Sequence, residues 1–303
     1  MKLTILDAYS INPGDLSWAP IEALGSFSSF DRTGDDQIIE RIKDCDGFFV
    51  SKCKITRQVM ESCRRLKFIG VTATGYDNVD LEAAKDLDIA VCHVPAYSTE
   101  AVAQHTFALI LELTNLVGSY NCSVQNGKWY ESPDFTFIEG PLTLLNGKSL
   151  GIVGYGNIGK RVARIGEAFG MKVNVYSRDK KAAVSSDFVT LHCPLTPENR
   201  GFVNKEFISQ MKDGAILINT ARGGLINEQD LADALKSGKL SAAAVDVISC
   251  EPPSAPHPLI NLPNCILTPH IAWMPKETRQ KVIDICAANL QSFLDGGSLN
   301  RIV

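Results

Sequence analysis

Three residues of the second half of the chain, Arg222, Glu251 and His270, each follow an apolar run that ends in a polar loop. Residues 214–219 lead into Thr220-Ala221-Arg222-Gly223-Gly224, residues 242–247 into a loop reaching Pro253, and residues 265–268 into Pro269-His270-Ile271. In an open parallel sheet, ligands sit beyond the carboxyl ends of the strands, so three such ends can converge although far apart in sequence. An arginine, a carboxylate and a histidine brought together suit hydride transfer to a 2-keto acid. The guanidinium fork would hold the substrate carboxylate bidentately. The histidine would give a proton to the carbonyl oxygen, and the glutamate would orient the ring and favour its protonated form. Singly, each has a plainer reading: a surface ion pair for Arg222, a solvated carboxylate for Glu251, a turn cap for His270.

The hydride donor has its own signature. Gly154-Tyr155-Gly156-Asn157-Ile158-Gly159 follows the apolar run 149–153 and opens an alanine-containing helical pattern. Gly154 would allow the sharp turn, Gly156 would let a pyrophosphate approach bare backbone, and Gly159 would let the helix pack close to the sheet. The phosphates would then face the helix N-terminus at Asn157 and Ile158. A second apolar run at 173–176 completes a β-α-β unit and ends in Ser177-Arg178. An enzyme using NAD places an acidic residue there; serine cannot repel a 2′-phosphate and Arg178 could pair with one, so NADP(H) is favoured over NAD(H). Asp179 keeps NAD(H) open. His192, with Cys193 and Pro194 behind it, also ends a strand and is expected to line the cofactor site, with His192 as runner-up for the acid.

The elements that must position these groups alternate. Short β-rich runs at 3–6, 47–50, 68–71 and 89–92 enclose helical patterns at 36–42, 56–63 and 81–87, which implies a first parallel sheet. Lys52, Thr74 and Gly75 end strands of that sheet and would form the opposite wall of a cleft. Residues 99–117 read as a long amphipathic linking helix, and 276–294 as a last helix. Residues 118–147 lose periodicity and are rich in aromatics, so they read as a loop, either pinned to the surface or packed as an arm on a second subunit.

Composition narrows the partners. The 303 residues are 45% hydrophobic and 21% charged, with a net charge of −4 and a pI near 5.8. That balance allows two globular domains and gives no basic field for nucleic acid or anionic membrane. No run is long enough to span a membrane, and the nine cysteines lack metal-ligand or disulfide spacing, so a cytoplasmic protein without a metal is expected.

These motifs resemble, along the whole chain, those of the D-isomer-specific 2-hydroxyacid dehydrogenases. The likeness rests on Ala73-Thr74-Gly75-Tyr76-Asp77-Asn78-Val79-Asp80, the 154–159 fingerprint, Asn219-Thr220-Ala221-Arg222-Gly223-Gly224, Val245-Asp246-Val247 through Glu251-Pro252, and Thr268-Pro269-His270-Ile271-Ala272. Val94-Pro95-Ala96-Tyr97-Ser98-Thr99-Glu100 and Gln104-His105-Thr106 look most like glycerate dehydrogenases, or hydroxypyruvate reductases. The resemblance implies an α/β fold of two parallel-sheet domains, a Rossmann dinucleotide-binding domain at 99–277 and a flavodoxin-like substrate domain at 1–98 completed by 278–303, with a cleft between them. It implies that Arg222, Glu251 and His270 are catalytic, that Lys52, Thr74, Gly75 and Arg222 bind substrate, and that Thr220, Ala221, Asp246 and Ala272 touch the cofactor, Asp246 at the nicotinamide amide. It also implies a homodimer through the cofactor domain. Phosphoglycerate- and D-lactate-type dehydrogenases, or a nucleotide-sensing binding protein on the same fold, are the competing readings. One departure stands out: the linker 177–187 is about as short as a parallel crossover can be, where the family usually places a further strand and helix. Either the sheet edge is pruned or a segment is omitted.

Overall fold

The computed structural model describes all residues, Met1–Val303. The chain forms two units, Met1–Ser98 with Met274–Val303, and Thr99–Trp273. The second crossing thus falls at 273/274 and not at 277/278, because the whole helix Lys276–Leu294 together with its N-cap, Pro275, belongs to the first unit.

In the first unit, β1 (Lys2–Ile5), β2 (Ser26–Ser29), β3 (Gly47–Val50), β4 (Phe68–Val71) and β5 (Ala90–Cys92) form a parallel sheet in the order β2-β1-β3-β4-β5, the flavodoxin-like order. The three strands β3, β4 and β5 are buried at every position, which is why they read as continuous apolar runs. β2 has the sequence Ser-Phe-Ser-Ser and lies at the sheet edge, where three serines meet solvent. No apolar run marked it. The last helix packs on β4, with Phe293 5.3 Å from Phe68 between ring centroids.

The second unit holds β6 (Ser149–Val153), β7 (Lys172–Val175), β8 (Phe188–Leu191), β9 (Ala215–Asn219), β10 (Leu240–Val245) and β11 (Cys265–Leu267), all parallel, in the order β11-β10-β9-β8-β6-β7. Helix Thr99–Asn115 lies against helix Asn157–Ala168 and buries Ala103, Phe107 and Ile110 with Leu150, Ile152 and Ile218. It ends where Leu116 turns left-handed, at φ 51°. A further helix, Val117–Gln125, then occupies part of the stretch expected to be a loop. None of its residues is buried, so its sequence carries no apolar periodicity.

The sheet is pruned at β7. Its order is that of a dinucleotide-binding sheet without the outermost strand. The crossover from β7 to β8 carries only the helix Lys180–Val184, capped by Asp179, whose Oδ1 accepts from the Ala182 amide at 2.9 Å. So short a crossover must lie directly on the strand it passes. Gly151 of β6 permits this, since a Cβ there would stand 1.9 Å from the Ala183 carbonyl oxygen.

Candidate active site

Strand register explains how residues distant in sequence reach one level. Val153 pairs with Leu191, Leu191 with Asn219, Asn219 with Val245, and Val245 with Leu267. These five residues make one row across neighbouring strands, about 4.8 Å apart per step. Gly154, His192, Thr220, Asp246 and Thr268 are each the first residue beyond that row, so all of the second unit's candidate groups lie just past the same carboxyl edge.

The three fingerprint glycines differ in what surrounds them. Gly154 has φ +97°, and a Cβ would stand 2.4 Å from the His192 carbonyl carbon. Gly159 would place a Cβ 2.1 Å from the Gly154 oxygen, so its helix sits against the turn. A Cβ on Gly156, which is the N-cap of helix Asn157–Ala168, meets nothing within 4 Å. A tight turn, a closely packed helix start and open space over unpaired amides fit a pyrophosphate, which needs bare backbone and the positive end of a helix. His192 adds a second sign of fit. Its Nε2 lies 3.0 Å from Thr190 Oγ1, while Nδ1 is shielded from solvent without a hydrogen-bond partner. The residue is half-buried overall, but the ring points inward, and burial pushes the imidazole down to about 3.

Past β7, Tyr176 turns inward onto Phe202, and Arg178 lays its guanidinium over the Tyr155 ring at 5.1 Å. Ser177 and Arg178 are exposed. Cys193 is partly buried, which raises its thiol pKa, and Pro194 is exposed.

His270 and Glu251 are in contact: Nδ1 lies 2.6 Å from Oε2, and the other carboxylate oxygen accepts from the Ile248 amide at 3.0 Å. Nε2 is the ring nitrogen that Glu251 does not engage. His270 has φ 56°, a left-handed conformation that a residue with a Cβ rarely adopts. Its amide is held by the Asp246 carbonyl at 2.7 Å and the Thr268 carbonyl at 3.0 Å. Arg222 reaches the same neighbourhood through its loop, because a Cβ on Gly223 would stand 1.9 Å from the Ile248 carbonyl carbon. The Arg222 side chain is exposed and donates from Nη1 to the Ala221 carbonyl at 2.8 Å. A cavity of about 420 Å³ opens beside the pair, lined by Ile248, Pro252, Leu267 and Thr268 among others.

Asp246, expected at the nicotinamide amide, has both oxygens engaged by the His270 segment. Oδ1 accepts from Thr268 Oγ1 at 2.6 Å and the Ile271 amide at 2.9 Å, and Oδ2 from the Ala272 amide at 3.0 Å. Burial opposes its charge, but hydrogen bonds from His105, Thr268 and the Ala272 and Ile271 amides outweigh it and hold the carboxyl below its ordinary range. His105 enters this network from helix Thr99–Asn115; the sequence shows it only within the Gln104-His105-Thr106 resemblance, and the contact itself reveals its place.

The remaining candidates, Lys52, Thr74 and Gly75, lie in the first unit on the loops after β3 and β4. The amides of Ser51 and Lys52 donate to the Asp7 carboxylate, the latter at 2.6 Å, and Thr74 Oγ1 donates to the Val94 carbonyl at 2.8 Å.

Comparison with known proteins adds an independent line. The profile of the D-isomer specific 2-hydroxyacid dehydrogenase NAD binding domain matches residues 107–272. A hydroxypyruvate reductase of Blautia hydrogenotrophica is 46% identical, covering 100% of this chain and 99% of that protein. A glycerate dehydrogenase of Methylorubrum extorquens is 38% identical over 88% of each. Among solved structures, an acyclic imino acid reductase in complex with NADPH and D-Arg superposes with a TM-score of 0.84 at 30% identity, covering all of both chains.

Proposed function

The chain belongs to the D-isomer specific 2-hydroxyacid dehydrogenases, oxidoreductases whose NAD binding domain it carries, and from that premise we propose that it reduces hydroxypyruvate to D-glycerate with NADPH as the preferred donor. The observation that carries the reading is the His270 to Glu251 contact at 2.6 Å, on the strand edge that also bears the open Gly156 amide cradle. Full-length likeness to a hydroxypyruvate reductase supports the substrate.

The fingerprint turn with Asn157 and Ile158 would hold the pyrophosphate, Ser177 and Arg178 the adenosine ribose, and His192, Cys193, Pro194, Thr220, Ala221, Asp246 and Ala272 the remainder of the dinucleotide. Bound there, the cofactor supplies the hydride that reduces the carbonyl carbon. Arg222 binds the substrate carboxylate and polarises the carbonyl. His270 gives the Nε2 proton to the carbonyl oxygen, so that hydride and proton together convert C=O to CH–OH. Glu251 accepts from Nδ1, which fixes the ring's orientation and stabilises the imidazolium before transfer.

Two further readings accompany this one. Trp129, Tyr130, Phe135 and Ile138 are exposed, Tyr130 by 95% and Phe135 by 90%, beyond a helix with no buried residue. Such a patch is costly to leave in water, and it supports a homodimer through the cofactor domain with residues 118–147 as the arm; sedimentation at micromolar concentration as a monomer would refute that. A cytoplasmic location is proposed from nine free cysteines and from the fact that no helix is long and apolar enough to cross a membrane.

The test is turnover with hydroxypyruvate, glyoxylate, pyruvate and phosphohydroxypyruvate, each with NADPH and NADH, followed by the loss of nicotinamide absorbance. The highest kcat/KM for hydroxypyruvate is expected. A clear preference for another keto acid overturns the substrate, and no turnover with any of them overturns the reaction.

A further inference from the structure

Two neighbouring residues of helix Thr99–Asn115, His105 and Thr106, reach two different strand-end loops. Thr106 Oγ1 donates to the Val102 carbonyl at 2.8 Å, so its single proton is taken. Its contact with Thr220 Oγ1 at 3.0 Å must then run from the Thr220 hydroxyl to Thr106. Both side chains are buried. Thr220 stands two residues before Arg222, and the Asn219 side chain ties that loop together by accepting from the Ala221 amide and donating to the Arg222 carbonyl.

The same donor count fixes the other contact. Thr268 Oγ1 gives its proton to Asp246 at 2.6 Å, so towards His105 Nε2, 3.2 Å away, it is the acceptor. His105 therefore carries its proton on Nε2, which also lies 3.5 Å from Asp246 Oδ1. Asp246 in turn accepts from the backbone amides of His270, Ile271 and Ala272. The His270 amide is held by the backbone carbonyls of Asp246 and Thr268, and His105 meets the side chains of those same two residues.

The helix is a rigid base for such contacts. Ala103, Phe107 and Ile110, on its buried side, pack into the sheet core. A residue on an exposed loop could touch the same groups, but it could not hold them in place.

We propose that His105 and Thr106 are positioning residues for the reaction: His105, through Thr268 and Asp246, sets the His270 segment, and Thr106, through Thr220, sets the Arg222 segment. Neither touches the reacting atoms. The proposal rests on the reading of His270 as acid and Arg222 as substrate clamp, and it predicts that the two neighbours fail differently. Losing the His105 contact misplaces the proton donor and lowers kcat, whereas losing the Thr106 contact loosens the carboxylate clamp and raises KM.

The experiment uses the full-length protein with His105→Leu, His105→Gln and Thr106→Val. Loss of one neutral hydrogen bond corresponds to a change of about tenfold. His105→Leu is expected to lower kcat about tenfold with KM nearly unchanged, and His105→Gln, which keeps a donor near the Nε2 position, to restore most of it. Thr106→Val is expected to raise KM for the keto acid several-fold with a smaller change in kcat. Amide hydrogen exchange is read in parallel, because it needs no turnover. The His270, Ile271 and Ala272 amides should exchange about tenfold faster in His105→Leu and not in His105→Gln. Unchanged exchange in His105→Leu, or equal kinetic effects in Leu and Gln variants that both fold, overturns the brace. An inactive parent whose amides still respond as described sinks the assigned reaction and leaves the brace standing.

Discussion

His270 Nδ1 stands 2.6 Å from Glu251 Oε2, a contact made across 19 residues by loops that leave adjacent parallel strands. The distance is that of a charge-assisted hydrogen bond, and it leaves Nε2 as the nitrogen to which the proposed reaction assigns proton transfer. His270→Ala is therefore expected to lower kcat by about 10²–10⁴-fold while cofactor affinity, followed by fluorescence titration, changes little. Glu251→Gln keeps the shape but not the charge that stabilises the imidazolium. Its turnover in the reducing direction should fall. Near-parental rates in His270→Ala would move the acid to another residue.

Substitution at the fingerprint glycines should separate folding from binding. A Cβ at Gly156 meets no atom within 4 Å, whereas one at Gly159 would stand 2.1 Å from a backbone oxygen. Gly156→Ala is thus expected to fold with a parental Tm and lose cofactor affinity, because the methyl group occupies the space over the helix amides. Gly159→Ala is expected to lower Tm itself, by several degrees, since backbone must shift to admit it. Equal thermal loss in both variants would contradict the distinction.

Much of this arrangement was legible because buried parallel strands write themselves as unbroken apolar runs. β3 and β4 have the residues read from the sequence, and β9 lies within its expected run. Edges and surfaces were not legible in the same way. β2 is Ser-Phe-Ser-Ser because its position exposes it, and helix Val117–Gln125 buries nothing that would impose a period. The short crossover was legible as a count of residues, yet its accommodation depends on Gly151 meeting Ala183, a contact between segments. His105 stands in the sequence only as part of the Gln104-His105-Thr106 resemblance on the linking helix. Its partner, Thr268, is 163 positions away, and no local pattern encodes that separation.

His192 gives the protein a pH-dependent stability. Burial lowers its pKa from 6.5 to about 3, so between those values the unfolded chain binds a proton that the folded chain does not. The contribution is fully present above pH 6.5 and is lost as pH falls towards 3. Near pH 5 the loss is about 2 kcal/mol, from about 1.4 kcal/mol per unit. His192→Gln should show a flatter fall in denaturant midpoint between pH 7 and 5 than the parent. Parallel falls would mean that the ring is protonated in the folded protein.

The cofactor preference depends on what lies beyond β7. An enzyme that selects NAD puts an acidic side chain there, which accepts from the adenosine ribose hydroxyls and repels a 2′-phosphate. Ser177 stands at that position and cannot repel. Asp179, the nearest carboxylate in sequence, caps its own helix by accepting from the Ala182 amide at 2.9 Å, which holds it to the crossover. Arg178 lies over Tyr155, between the two glycines of the turn, with its guanidinium 5.1 Å from the ring centroid. A guanidinium there can pair with a 2′-phosphate through two parallel hydrogen bonds and still stack on the ring. The parent is expected to show the higher kcat/KM with NADPH. Arg178→Ala should lose NADPH efficiency by about tenfold or more, as expected for one charge-assisted hydrogen bond, and NADH efficiency far less. Equal losses with both cofactors, or a preference for NADH in the parent, would end the case for Arg178 as the phosphate partner and return the ribose to Asp179.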